Sequence, residues 1–148
     1  MMATLFVDAD ACPVKAEALR VGLRHGAKVV MVSNGGIRPS AYPGAEVVVV
    51  SAGADVADMW IAGRVQPGDV AITTDLPLAA RVIEAGGQVV KPNGEALTTR
   101  NIGPALAARD LAADLRAADP FRQGGGRAFS NADRSRFLDA LDRALRAR

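Results

Sequence analysis

Short apolar runs alternate along this chain with stretches of helical spacing, and three of the runs lead to aspartate. Thr4-Leu5-Phe6-Val7 opens into Asp8-Ala9-Asp10, and Val47-Val48-Val49-Val50 leads through Ser51-Ala52-Gly53-Ala54 to Asp55 and Asp58. Val70-Ala71-Ile72-Thr73-Thr74 ends on Asp75. Continuous apolar runs of this length mark strands buried on both faces. Between them the pattern predicts a helix from about Pro13 to Arg24, with Pro13 suited to the first helical position and Gly26 to the stop. A second strand follows over Lys28 to Val32, then a loop with Pro39 and Pro43. Helices follow over Asp55 to Gly63, with Val56, Met59 and Trp60 turned inward, and over Leu76 to Ala85. Such alternation predicts an α/β fold, a three-layer α/β/α domain around a mainly parallel sheet of about five strands, closed by C-terminal helices.

The pattern then changes. Gln88-Val89-Val90-Lys91 is a fifth strand, and Pro92-Asn93-Gly94 a turn that starts a hairpin toward Ala96-Leu97. Asn101 stands where it would cap a long helix to about Ala117. Residues 120–129, with Gly124-Gly125-Gly126, read as a flexible linker. Ser130 and Asp133 have the spacing of an N-terminal cap for a last helix whose Phe137, Leu138, Leu141 and Leu145 recur at helical intervals.

The 148 residues, 49% of them hydrophobic, suit one domain over 1–148 with a single substantial core. No basic segment precedes the first apolar run, which meets Asp8 too soon for a signal peptide, and no run is long enough to span a bilayer. A lone cysteine, Cys12, excludes an internal disulfide framework and offers no zinc-ligand spacing. A cytoplasmic location is expected. Charge is uneven: from Arg116 onward there are eight arginines and four aspartates, so that this segment carries +4 within a net charge of +2. A basic tail behind an acidic front half suits an anionic substrate, and equally a solvated helix face.

Sheets of this kind take ligands in the crevice outside the carboxyl ends of their strands. Five carboxylates, Asp8, Asp10, Asp55, Asp58 and Asp75, are thereby directed to one crevice. Crowded carboxylates repel, so the arrangement points to a cation, and an all-oxygen ligand set favours Mg²⁺ or Mn²⁺. Asp8 and Asp75 are the leading catalytic candidates. Each acid also has a plainer reading: Asp10 as cap of the helix near Pro13, Asp55 or Asp58 as a cap or dipole partner, Asp75 as cap before Leu76-Pro77. Lys15 and Arg38, with Ser33 and Asn34 at the end of the second strand, are the candidate substrate contacts. Cys12 reads as a small packed thiol, His25 as a cation at a helix C-terminus and Trp60 as core. With aromatic residues at 4%, the sequence displays no platform for stacking bases.

The motifs Asp8-Ala9-Asp10-Ala11-Cys12-Pro13-Val14-Lys15, Ser33-Asn34 with Arg38-Pro39, Gly53-Ala54-Asp55-Val56-Ala57-Asp58-Met59-Trp60-Ile61, Thr74-Asp75-Leu76-Pro77-Leu78-Ala79, Asn101-Ile102-Gly103 and Phe129-Ser130 through Phe137 occur in this order. Together, over nearly the whole chain, they resemble the YaiI/YqxD-type proteins of bacteria, which in turn resemble the PIN/NYN-like nuclease superfamily. That resemblance implies a metal-dependent nuclease of RNA or DNA with Mg²⁺ or Mn²⁺ held by strand-end acids. Asp8 matches the superfamily's strand-one aspartate and Asp10 the polar residue two later. Asp55 and Asp58 match the mid-chain acid, and Asp75 the aspartate after the fourth strand. The chain departs at Leu76-Pro77, where many relatives carry another acid, which puts a complete two-metal site in question. Nucleic acid is the expected partner, a homo-oligomer stays open, and no membrane partner is expected. Two rivals stand beside this reading. Asp8-x-Asp10 and Ser33-Asn34 also look like the nucleophile and phosphate-binding motifs of a haloacid-dehalogenase-like phosphatase, and a degenerate site would leave a nucleic-acid- or partner-binding module.

Overall fold

The computed structural model describes residues 3–53, 55–118 and 128–146. Its strands are β1 (Thr4–Asp8), β2 (Lys28–Ser33), β3 (Glu46–Val49), β4 (Val70–Ile72), β5 (Gln88–Val90) and β6 (Ala96–Leu97). Five helices accompany them: α1 (Lys15–Arg24), α2 (Val56–Ala62), α3 (Leu76–Glu84), α4 (Ile102–Ala118) and α5 (Asn131–Arg146). The strands form one sheet in the order β3-β2-β1-β4-β5-β6, parallel throughout except for the β5–β6 hairpin. The expected count of about five strands thus becomes six, the sixth being the hairpin partner Ala96-Leu97. All but the short outer strand run the same way, as the crossover pattern requires.

Side-chain alternation splits the core into two layers. Leu5, Val7, Val29, Met31, Val70, Ile72 and Val90 face α1 and α5, where Val14, Ala18, Val21, Phe137, Leu141 and Leu145 cover them. Phe6, Val30, Val32, Ala71 and Val89 face the other way, onto Ile61 of α2, Leu78, Ala79 and Val82 of α3, and Ile102 and Ala105 of α4. Asp8 shares its parity with Phe6, so the strand sends it toward the α2/α3 layer.

Local details correct several expectations. The chain makes a 3₁₀ turn over Ala9–Ala11 before α1, which starts at Lys15 with Val14 as its uncapped N-terminal residue; Asp10 is therefore not its cap. Asn101 precedes α4, but its side chain reaches back to the Thr98 amide (2.7 Å) and the Ala96 carbonyl (2.8 Å), closing the turn after β6. Met59, expected inside, is 64% exposed, and Ile61 is the buried residue of α2. Trp60 is half-buried, edge-on to Phe6 at 6.3 Å, with the Arg64 guanidinium 4.0 Å from its ring centre. Ser130 and Asp133 do form a reciprocal cap, amide to side chain in both directions, at 2.9 and 3.1 Å. The linker assigned to 120–129 lies outside the described residues except for Ala128 and Phe129.

Asp69 is a further acid, one residue before β4. It is buried at the amino ends of the strands, where its carboxylate accepts from the Thr4 and Gln66 amides, both at 2.9 Å. It ties β1 to the turn before β4 at the end of the sheet opposite the crevice. Gly94 fixes how α5 docks: its φ is +91°, and a Cβ there would stand 2.5 Å from the Arg136 backbone carbon. Gly94→Ala should therefore cost about 1–3 kcal/mol, from the strained φ and the displaced helix. A lower midpoint in urea unfolding would register this, and an unchanged midpoint would show that the hairpin tip moves freely against α5.

Candidate functional site

The crevice forms where β1 and β4 lie side by side and the chain leaves them in opposite directions, toward β2 and β3 on one side and β5 on the other. Such a reversal of strand order opens a gap at the carboxyl ends. A cleft of about 410 Å³ lies there, and its lining includes Asp8, Asp10, Asn34, Asp58, Asp75 and Arg109. Four of the five predicted acids therefore meet in one place.

Each acid is held differently. Asp8 accepts a hydrogen bond from the Thr73 hydroxyl at 2.9 Å, and that same oxygen accepts the Asp75 amide at 3.0 Å. Burial pushes the Asp8 carboxyl above its usual value; Thr73 counters this, and the neighbouring Asp75 and Asp10 add to the rise. Asp75 caps α3, accepting the Leu78 amide at 2.8 Å, and lines the cleft as well. Asp75 is thus at once the cap of α3 and a lining residue of the cleft. Asp58, in the first turn of α2, faces Asp75 closely enough to share a hydrogen bond. Desolvation, that bond and the charges of Asp75, Asp8 and Asp55 raise its pKa to about 7. Asp10 is tied to the end of β2, accepting the Ser33 hydroxyl at 2.7 Å and the Asn34 amide at 2.9 Å. Asp55 is exposed at the start of α2 and lies outside the cleft lining, though its charge still reaches Asp58.

The predicted substrate contacts separate in the same way. Asn34 lines the cleft. Ser33 is fully buried, its hydroxyl bonded to Asp10 and to the Gly35 and Gly36 amides at 3.1 Å, so it positions Asp10 and the loop. The Lys15 ammonium donates to the Cys12 carbonyl at 2.7 Å, and Arg38 stands exposed before a 3₁₀ turn over Pro39–Ala41. Neither lines the cleft. Arg109 of α4 does, and sequence reasoning missed it; its signal is only visible once α4 packs on α3 and turns that face to the crevice. Cys12 is buried, and burial pushes its thiol up, as befits a packed group. His25 ends α1, and its Nε2 lies within hydrogen-bond distance of the Asp142 carboxylate of α5, at 2.7 Å.

The donors around the cleft suit a hard divalent cation in kind: among the described lining residues four carboxylates face one cation, Arg109. As the side chains stand, no three acidic, histidine or cysteine side chains among the described residues converge into a ligand set. The raised Asp58 pKa means that a cation bound there at neutral pH would have to displace a proton from Asp58. A larger cleft of about 540 Å³ crosses the β5/β6 edge between α3 and α5, and no acid lines it.

Residues 6–147 match the sequence profile described as "Uncharacterized BCR, YaiI/YqxD family". The chain belongs to this family. It is 69% identical to a UPF0178 protein of Cereibacter sphaeroides, with 98% of this chain and 90% of that one covered. A UPF0178 protein of Roseobacter denitrificans is 66% identical over 98% of this chain and 96% of its own, and one from Caulobacter vibrioides 56% over 98% and 94%. No solved structure matches. No helix among the described residues is long and apolar enough to cross a membrane.

The acid pair makes stability depend on pH. Asp58 ionises near 3.8 when unexposed to its neighbours and near 7 in the fold, so over that window the native state holds a proton that the unfolded chain has lost. Stability contributed by this group therefore falls as pH rises from about 4 to 7. With metal chelated, Asp58→Asn should raise the urea midpoint relative to wild type at pH 8 and leave it nearly unchanged at pH 5. An amide can still donate to Asp75. Equal differences at both pH values would remove the raised Asp58 pKa from the account.

Proposed function

We propose that this YaiI/YqxD family member is a PIN-like, divalent-metal-dependent phosphodiesterase acting on nucleic acid. The observation that carries the reading is the meeting of Asp8, Asp58 and Asp75 at the β1/β4 crevice, where Arg109 is the one cation among the described lining residues. Asp8 and Asp75 lead as metal-holding and catalytic groups, with Asp58 the third acid. Asp10 and the exposed Asp55 are peripheral. A bound Mg²⁺ or Mn²⁺ would supply charge neutralisation at the phosphorus oxygens and acidify water.

The protein's own groups would do the rest. Thr73 fixes one Asp8 oxygen, and the α3 cap fixes one Asp75 oxygen, so both carboxylates are preorganised. Asn34 and Arg109, at the rim, would engage phosphate oxygens, Arg109 through its planar donors. Asp10 holds the Asn34 loop in place. The phosphatase reading is weaker because Ser33, its phosphate contact, is buried and spent on Asp10 and two amides.

Purified protein with Mn²⁺ should cleave single-stranded RNA or DNA, and Asp8→Asn and Asp75→Asn should each lose at least about a hundredfold in rate. Both variants should stay folded, since asparagine still accepts from Thr73 and is a good helix cap. Mn²⁺ should also raise the melting temperature of wild type more than that of Asp8→Asn. Cleavage that survives chelator, or persists in Asp75→Asn, would sink the assignment. Metal-dependent stabilisation and oligonucleotide binding without turnover would leave a binding module.

A further inference from the structure

Beside the acidic cleft lies a second recess of about 420 Å³. Its wall consists of Pro13, Thr74, Leu76, Lys91, Pro92, Asn93 and Phe129, and Thr74 and Leu76 line both spaces. The two are thus neighbouring compartments of one crevice, separated by the residues that flank Asp75. Their characters differ sharply. One is built of carboxylates; the other presents an aromatic ring, a leucine and two prolines, with an ammonium and an amide at the edge. Its size falls within the roughly 300–1,000 Å³ of small-molecule sites.

Phe129 is the unexpected member. It lies just before α5, partly buried against the α1/α5 core layer, with the Arg134 guanidinium 5.3 Å from its ring centre. Arg134 is itself bonded to Glu17 of α1. The ring is thereby braced by a cation that is itself held to a second helix. On the opposite wall, the Lys91 ammonium meets Glu95 at 3.2 Å, and the Asn93 side-chain oxygen accepts the Glu95 amide. The Asn93 amide nitrogen donates to none of the described residues and remains available at the recess.

We infer that this recess seats the base of a nucleotide whose phosphate lies at Asp75 and Asp8. A flat heteroaromatic ring matches the shape and the π-face of Phe129, and its polar edge matches the Asn93 amide. The cations agree with a polyanion running through: Arg109 lines the acidic compartment and Lys91 the apolar one, so positive groups flank the carboxylates along the crevice. Because the base anchor is separate from the acids, it offsets the repulsion between phosphate and carboxylates during capture. This inference rests on the phosphodiesterase reading for the position of the phosphate, and it is tested without turnover.

The probes are a fluorescently labelled thymidine pentanucleotide and a pentamer of the same length and charge that lacks bases. Binding is measured by anisotropy in chelator, so that cleavage cannot intervene. Wild type should prefer the base-bearing pentamer by about five- to a hundredfold, the range that one base stacked on an aromatic contributes. Phe129→Ala should erase most of that preference and Phe129→Tyr should keep it. Phe129→Leu, which retains apolar volume should the alanine variant unfold, should also lose it. Equal binding of the two pentamers, no binding of either, or a preference unchanged in folded Phe129→Leu would overturn the inference. Base preference without cleavage by the metal-loaded protein would uphold the recess and remove the nuclease reading; cleavage without base preference would do the reverse.

Discussion

The Thr73 hydroxyl sits at the point on which the rest of the site depends. It donates to Asp8 at the end of β1 and accepts the Asp75 amide as the chain leaves β4, so one side chain joins the two central strands at the place where their exits diverge. Everything else follows from that seam. Asp8 is held toward the α2/α3 layer, Asp75 is set in position to begin α3, and the cleft between them stays open because no strand connection fills it. Thr73 is 2% exposed, and its hydroxyl is satisfied on both sides, so the seam incurs little of the cost that an unpartnered buried polar group would carry.

Electrostatics makes the same cleft unfavourable in isolation. A carboxyl that keeps its proton to about pH 7 beside another carboxyl stores a preference for positive charge. Asp69 is the instructive contrast: also an aspartate and more buried than Asp58, it receives two backbone amides and is structural. Hydrogen-bond donors satisfy the acid at the amino ends of the strands, whereas at the carboxyl ends acids face one another. The difference in partners, not in residue type, separates a brace from a candidate site.

Strands and crossovers were legible in the sequence because burial on both faces demands unbroken apolar runs, and the crevice was legible because acids ended three of them. Four aspartates met as that logic required. What stayed hidden was side-chain direction around short helices. Asp55 and Asp58 are three apart and seemed equivalent, yet α2 begins at Val56, so Asp55 remains outside the first turn and Asp58 turns in. Met59 is misplaced for the same reason: a shift of one position turns a helix by about 100°, so the inward stripe is Ala57, Trp60 and Ile61 rather than Val56, Met59 and Trp60. Asp10 appeared as a cap because Pro13 followed; the 3₁₀ turn instead sends it across to β2.

The arginine-rich end of the chain illustrates a larger limit on reading charge from sequence. Arg134 pairs with Glu17, Arg136 with Asp133, and Arg143 lines the distant cleft at the β5/β6 edge; none of the three lines the acidic one. Among the described residues, the cation that lines the acidic cleft is Arg109 of α4. Local asymmetry of charge therefore reported how α5 is fastened rather than where an anion would go. That fastening nevertheless bears on function: by joining α1 to α5 beside Phe129, Arg134 keeps an aromatic ring beside the carboxylates. Through Phe129, Arg134 thus supports the wall of the neighbouring recess and is not part of the lining of the acidic cleft.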